Sequence, residues 1–388
     1  MSTPLASVIL RQGRDRSVRL GHPWLLSGSI DRIEGDPRPE APVRVLAANG
    51  SLLAHGDFDP GTQIRVRLTH FGEDPPDPEE TWFEERLLAA VAWRELHPLL
   101  DGTDAVRWVH AEADGLPGLT VDRYASWIVI RPGTAAMARR AERVARALIE
   151  TRALAGAWLR GPAREGHATR ALAGSVPEEP IEISERGRRY QVDLRRGQKT
   201  GFYLDQRDAR DRFQRLAPGT RVLDLYSYSG GFAAAALAGG ATEAVCVESS
   251  KPACDLLERN APEAERVAGD VGAFLRTDTR CFGLVAIDPP PFAKRKRDAN
   301  AACRAYQELH RNALRKITPG GLLLTFCCSH HVDATRFRRT IFNAAAQTGI
   351  QLQLLEALGA PADHAVDLRH PEGEYLKGFL LRVATVNA

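Results

Sequence analysis

The run 321-GLLLTFCCSHHVD-333 takes an apolar segment into two cysteines, a serine and two histidines. In an extended chain alternate side chains face opposite sides, so Cys327 and Cys328 point apart, as do His330 and His331. Four such neighbours cannot converge on one ion, which argues against a metal site. One cysteine then serves as a small core residue, the usual fate of a free thiol. The other is placed to act as a nucleophile. A thiolate can add to carbon 6 of a pyrimidine and make carbon 5 enamine-like, able to accept a methyl group. The two histidines read as surface or supporting residues.

A second chemical feature is 288-DPPPF-292. Consecutive prolines hold the backbone extended and remove N–H donors, leaving carbonyls to face a substrate. Asp288 could hydrogen-bond the N3 edge of a pyrimidine as charge develops there. Pro289, Pro290 and Phe292 are the candidate grip on a base, with Phe292 offering a stacking face. A stiff turn leaving a buried strand would look the same. Lys294-Arg295-Lys296-Arg297 follows directly, either as phosphate contacts beside an extruded base or as solvated surface.

Polar residues also end a series of apolar runs. The segment 224-DLYSYSGGF-232 follows 221-RVLDLY-226 with Asp224, a floor of Ser227 and Tyr228, and a turn at Gly230-Gly231. Glu248 ends 243-EAVCVE-248 about twenty residues on, where a carboxylate can accept both hydroxyls of a ribose. Asp270 sits in 269-GDV-271, and Asp288 ends 284-LVAID-288. The turn is not GxGxxG, so the cradle for a dinucleotide pyrophosphate is missing. S-adenosylmethionine, which has no phosphate, is favoured over NAD.

These termini need a sheet to align them. From about residue 197 strands alternate with helices, expected at 231–238, 252–260 and 304–317, which predicts a doubly wound, mostly parallel α/β sheet binding ligands beyond its strand carboxyl ends. Ahead of it, residues 1–72 contain short β-rich runs, with Asn49-Gly50 as a hairpin signal, and predict a small β-barrel. The proline-rich 73-EDPPDPEE-80 reads as a linker. Residues 73–190 predict a second unit, with a helix from Thr81 to His97 presenting Trp82, Leu87, Val91 and Leu96. Two strands within 107–130 and a helix from Ala135 to Thr151 follow. Trp24 and Trp82 read as core, and Arg11, Arg14, Arg16 and Arg19 as a candidate basic edge.

Over 388 residues, 52 Lys and Arg stand against 49 Asp and Glu, a net +3 that neither requires nor excludes a polyanionic partner. No apolar run approaches a membrane span, and the amino terminus shows no signal-peptide pattern. None of the six cysteines precedes Cys246 and none forms a CxxC pair, which excludes a disulfide scaffold and points to a reducing, cytoplasmic setting.

The chain resembles bacterial 23S rRNA (cytosine-C5) methyltransferases of the RlmI/RlmO type. The resemblance runs nearly end to end, through 22-HPWLLSGSI-30, 56-GDFDPGTQIRVR-67, 112-EADGLPGLTVDRY-124, 197-GQKTGFYLDQRDAR-210, 226-YSYSGGF-232, 288-DPPPF-292, 326-FCCS-329 and 371-PEGEYLKGF-379. It implies a PUA domain over 1–72, an EEHEE-type connecting domain over 73–190 and a Rossmann-like methyltransferase domain with a seven-stranded sheet over 191–388. It places the nucleophile on Cys328, with Asp288 facing methyl donor and base. It assigns S-adenosylmethionine to Lys199, Phe202, Gln206, Asp224, Gly230, Glu248 and Asp270, beside Ser227, Tyr228 and Gly231. Three positions depart from the family pattern: Pro291 after Asp-Pro-Pro, Cys327 before the nucleophile, and Asp363-His364-Ala365 near the end.

The implied partner is 23S rRNA, free or within a ribosomal-subunit precursor, with no membrane; a homodimer is compatible with the family. The expected reaction forms 5-methylcytosine. Two other readings stay open: methylation of an exocyclic amine of a base, which needs no cysteine, and an RNA-binding assembly protein without turnover.

Overall fold

The computed structural model describes residues 5–72, 80–161, 169–293 and 295–384. The chain forms two units: Met1–Asp101 with Ala105–Val176 and Asp363–Gly373, and Gly102–Asp104 with Pro177–Ala362 and Glu374–Ala388.

The first unit opens with a six-stranded sheet built from the short β-rich runs. Its strands lie in the order Trp24–Leu26, Ile64–Phe71, Leu52–Phe58, Pro42–Leu46, Ser7–Leu10, Ile30–Glu34. Pro42–Leu46 and Leu52–Phe58 pair antiparallel across the Asn49-Gly50 turn, where the Asn49 side chain accepts from the Ser51 amide. Alternation puts Val8, Leu10, Val43, Val45, Val66 and Leu68 in one core.

The helix expected over 81–97 is Thr81–Glu95. It buries Phe83, Leu87 and Val91, whereas Leu96 lies past its end and is 83% exposed. Trp82 and Trp24 are half-buried. The segment expected to hold two strands holds three, Ala105–His110, Leu119–Tyr124 and Trp127–Pro132. The extra reversal is a two-residue turn at Ala125-Ser126, with Ala125 left-handed at φ 51° and no glycine to announce it. Helix Ala135–Arg152 is capped by Thr134, which accepts from the Met137 amide, and Gly156–Leu159 and Arg170–Gly174 complete the five-stranded sheet. The two strands before the helix and the two after it give the EEHEE core, with Ala105–His110 added at the edge. Residues 363–373 are held in this unit by the wholly buried Arg94. Its guanidinium donates to the Asp363 carbonyl at 2.9 and 3.1 Å and pairs with Asp114.

The second unit begins with the hairpin Ile181–Glu185 and Arg188–Val192. Its main sheet has seven strands, numbered here in chain order: β1 (Arg221–Leu225), β2 (Glu243–Glu248), β3 (Glu265–Ala268), β4 (Phe282–Ile287), β5 (Ile317–Cys327), β6 (Leu352–Leu358) and β7 (Lys377–Val383). They lie in the order 3-2-1-4-5-7-6. Strands β3, β2, β1, β4 and β5 are mutually parallel and β7 is antiparallel to both its neighbours. The parallel strands read as continuous apolar runs because helices cover both faces. One face packs Leu223, Val245, Val285, Leu323 and Cys327, and the other Val222, Cys246, Leu284, Leu324 and Phe326. Among the described residues no helix is long and apolar enough to cross a membrane.

Candidate active site

Parallel pairing brings the carboxyl ends of β1, β2, β4 and β5 to one rim, where a cavity of about 250 Å³ opens. Its walls come from three stretches. Phe202, Tyr203, Gln206 and Arg210 precede or belong to the helix Arg207–Leu216; Tyr226, Ser227, Tyr228 and Gly231 follow β1; Glu248 ends β2, and Ser249 and Ser250 follow it. Asp288 and Pro290 close it from the end of β4.

The turn after β1 is strained: Tyr226 and Tyr228 are left-handed at φ 62° and 48°, and Lys199 opposite has φ 53°. Non-glycine residues in this region cost energy and persist where the surroundings over-determine them. Here Tyr228 is held at both ends. Its amide donates to Glu248 at 2.9 Å, and its hydroxyl donates to the Gly201 carbonyl and accepts from the Gln198 amide. Glu248 also accepts from the Ser249 and Ser250 amides at 2.9 and 2.8 Å, which aims the carboxylate along the rim.

Asp288 accepts from Gln206 Nε2 at 2.9 Å. Burial and the nearby charge of Asp205 raise its carboxyl to about 6, against the pull of Lys199 and the Gln206 hydrogen bond. Asp224 lies beneath the floor, accepting from the Ala233 amide at 3.1 Å. Burial raises it to about 7, reinforced by Asp288 and Glu248 and opposed by that hydrogen bond. Lys199 is paired with Asp205, which also accepts from the Tyr375 hydroxyl at 2.6 Å.

The register of β4 against β5 sets where the two cysteines lie. Ala286 pairs with Leu324 and Ile287 with Thr325, so the Asp288–Pro290 backbone lies beside the Cys327–Cys328 backbone. Cys327 is wholly buried in the core that contains Tyr306 and Phe337. Cys328 faces the other way, half-buried, with its sulfur 3.9 Å from the Pro289 carbonyl oxygen. Burial and the charge of Asp288 push its thiol up to about 12, and Lys199 opposes them. The sulfur therefore lies beside the proline loop and within the field of Asp288 and Lys199, while neither Cys328 nor Lys199 lines the cavity itself.

Several expected residues lie elsewhere. Asp224 and Gly230 support the floor without lining the cavity, and Asp270 is an exposed helix cap that accepts from the Ala273 amide. Phe292 turns away from the rim and packs half-buried against Tyr306, ring centroids 4.6 Å apart. Tyr306 belongs to the helix Ala299–Leu314, which starts five residues before the expected 304–317 and ends three before it, and β5 already pairs at Ile317. Pro289 is buried, Pro290 and Arg295 are exposed, and Lys294 lies outside the described residues. His330 and His331 are exposed.

Sequence reasoning missed Gln198, Tyr203, Arg210, Ser249 and Ser250 as wall residues. The last two had a signal, since Ser-Ser directly follows Glu248 before a helix. Arg210 did not: it is fixed by a two-pronged pair with the buried Glu185 from the hairpin, a contact set only in three dimensions.

The strand order, the rim carboxylate after β2 and a polar floor without a phosphate cradle define a nucleoside-binding methyltransferase. S-adenosylmethionine fits the rim in charge: Asp288 and Glu248 both raise the Asp224 carboxyl beneath the floor, and a cationic ligand relieves that repulsion. The sequence profile of the S-adenosylmethionine-dependent methyltransferase family matches residues 136–380, and that of the PUA-like domain residues 8–71. The chain is 37% identical to ribosomal RNA large subunit methyltransferase I of Aliivibrio fischeri, over 97% of this chain and 99% of that one. The Salmonella arizonae protein of the same name is 35% identical over 97% of each. Among solved structures, SMU.776, a methyltransferase in complex with SAH, superposes with TM-score 0.84 at 21% identity, over 97% of this chain and 100% of that one. A SAM-dependent methyltransferase from Streptococcus mutans does so at 0.82 and 20% identity, with the same coverage. The protein belongs to the S-adenosylmethionine-dependent methyltransferases that carry a PUA-like amino-terminal domain.

Proposed function

We propose that this enzyme methylates carbon 5 of a cytosine in large-subunit ribosomal RNA, with Cys328 as the covalent nucleophile. The observation that carries the reading is the Cys328 sulfur 3.9 Å from the Pro289 carbonyl oxygen, in the loop whose Asp288 and Pro290 close the cavity, with the rival thiol Cys327 buried on the opposite face. The shared name of relatives at 35 and 37% identity supports the RNA class.

In this reading the Cys328 thiolate adds to carbon 6, and the ring's electrons move toward carbon 5 and the N3 edge, where Asp288 stands. Carbon 5 then takes the methyl group, which the bound sulfonium cofactor supplies. Loss of the carbon 5 proton to solvent leaves its electron pair to re-form the 5,6 double bond as the carbon 6–sulfur bond breaks and returns the thiolate. Glu248 would hold the ribose hydroxyls of the cofactor, with Phe202, Tyr226 and Tyr228 around the adenosine; Lys199, Gln206, Ser227 and Gly231 complete that wall. Asp224 would act from below, and Asp270 at the edge. Pro289 and Pro290 would present carbonyls to the base, and Arg295 would meet phosphate.

Residues 1–72 would act as the RNA-binding domain, 73–190 as the connecting domain and 191–388 as the catalytic domain, working in the cytoplasm. The test is direct. Digested large-subunit RNA treated with enzyme and cofactor should yield 5-methylcytosine by mass spectrometry. With Cys328→Ala it should yield none. Full methylation by that variant would transfer the reading to an exocyclic amine, which needs no thiol.

A further inference from the structure

The helix Thr81–Glu95 uses two faces. Phe83, Leu87 and Val91 enter the core of its unit. Arg86, Ala89, Ala90 and Trp93, spaced by three and four residues, share another face and wall a second cavity of about 460 Å³. That is larger than the cofactor cavity and of a size usual for ligand sites. The alanines are too small to fill the space between Arg86 and Trp93. The remaining walls include Phe71, which ends the strand Ile64–Phe71, and the turn at 112–117.

Arg86 gives this cavity its chemistry. Its guanidinium lies half-buried over the Trp82 ring, 4.8 Å from the centroid. Nη1 donates to the Thr69 and Gly115 carbonyls at 2.7 and 3.0 Å, which fixes the plane with neutral partners. Among the described residues no carboxylate meets Arg86, and its Nε and Nη2 make no hydrogen bond. The three carboxylates on the walls are engaged elsewhere. Asp114 pairs with the buried Arg94 at 3.0 Å and Asp367 with Arg369 at 2.6 Å; Glu112 accepts from Trp24 Nε1 at 2.7 Å, with Arg67 at 3.8 Å. A half-buried charge without a counter-charge is costly, and a fixed guanidinium edge with unused donors suits a phosphate. Beside it Phe71 is 41% exposed and Trp93 half-buried, planar surfaces of the kind on which unpaired bases stack.

We propose that this cavity takes one unpaired nucleotide of the RNA, its phosphate on the Nε–Nη2 edge of Arg86 and its base against Phe71 and Trp93. The inference rests on RNA as the substrate class and holds whichever atom of the base is methylated. It goes beyond the reading above, which gives RNA contact to residues 1–72 and Arg295, because the helix that supplies Arg86 and Trp93 belongs to residues 73–190. The cavity is lined by no thiol and by none of the residues that wall the cofactor cavity, so its nucleotide is not the one methylated. It is a second grip on the strand.

The experiment measures the anisotropy of a short fluorescein-labelled single-stranded RNA with the full-length protein over a range of salt concentrations, in wild type, Arg86→Gln and Phe71→Ala. Arg86→Gln should weaken binding about tenfold and lower the slope of log Kd against log salt by about 0.7, the share of one phosphate on a single strand. Phe71→Ala should weaken binding about fivefold or more and leave the slope unchanged, since stacking carries no net charge. The KM for RNA should rise in parallel while kcat and the affinity for S-adenosylmethionine hold. Thermal unfolding checks that the variants fold, and the exposed Phe71 decides the matter if Arg86→Gln does not. Wild-type affinity and slope in a folded variant overturn the proposal. Failure of the wild type to bind RNA at all would remove the substrate class together with the pocket, whereas wild-type binding with unchanged variants removes the pocket alone. A glutamate-rich peptide that binds wild type and is lost in Arg86→Gln, with RNA binding intact, would assign the cavity to a protein partner instead.

Discussion

The sulfur of Cys328 and the carbonyl oxygen of Pro289 lie 3.9 Å apart, across neighbouring parallel strands whose register holds Ile287 against Thr325. One residue back, Cys327 is buried among the aromatic residues of the opposite face. Two thiols adjacent in sequence therefore divide into one beside the proline loop and one in the core.

This division predicts opposite phenotypes. Cys328→Ala should lower methyl transfer by a factor of about 10³ or more with stability nearly unchanged, as loss of a covalent nucleophile does. Cys327→Ala should keep turnover within about tenfold but lose on the order of 1 kcal/mol of stability through the small cavity it leaves. Kinetics and denaturant unfolding on the two variants check both.

Gln206 holds Asp288 below the pKa that burial alone would give it. Gln206→Ala should therefore raise the Asp288 pKa above its present value of about 6. The ionised form would then appear only at higher pH, so the acidic limb of kcat/KM should move upward. A profile that stays in place would show that Asp288 does not govern that limb.

Asp224 is an acid whose folded pKa, about 7, stands above its ordinary value of 3.8. Folding favours its protonated form, so its cost to stability is absent below about pH 4, grows as pH rises, and is complete above about pH 7. Asp224→Asn keeps an acceptor for the Ala233 amide and removes the charge. The ligand-free variant should be more stable than wild type at pH 8, by at most about 4 kcal/mol, and equal to it near pH 4. Thermal unfolding at the two pH values tests the sign.

Glu185 is wholly buried on the hairpin and faces Arg188, Arg207 and Arg210. Glu185→Gln removes the negative charge that compensates three buried guanidinium groups. It should destabilise the protein by about 3–5 kcal/mol, the range for a buried pair broken on one side. It should also loosen Arg210, whose guanidinium stacks on Phe202 at 4.4 Å, and so weaken cofactor binding in calorimetry.

Much of the site was legible in the sequence because sheet chemistry is local. Asp224, Glu248 and Asp288 each stand at or next to the end of an apolar run, and parallel pairing must bring such ends to one rim. The same logic misled at Phe292, whose type suggested stacking on a substrate. Its partner Tyr306 sits on an expected helix, but which side chain of that helix meets the loop after β4 is set only by packing, so the contact could not be read ahead. Asp270 illustrates a second limit. An acidic residue after a strand can serve a ligand or cap the next helix, and the spacing is the same for both.

The sequence by itself determined the order of strands and helices, the polar character of their ends and the opposed faces of Cys327 and Cys328, since a period of two residues fixes side-chain direction along a strand. Which of those faces carries the cavity was decided by tertiary structure, because it depends on where the helices pack and how β4 and β5 align. The supporting contacts belong to the same category. Lys377 to Ser329, Glu185 to Arg210 and Tyr375 to Asp205 join residues 48, 25 and 170 positions apart. Hydrogen bonds and charge act across space over a few ångströms, and only the folded chain sets those distances.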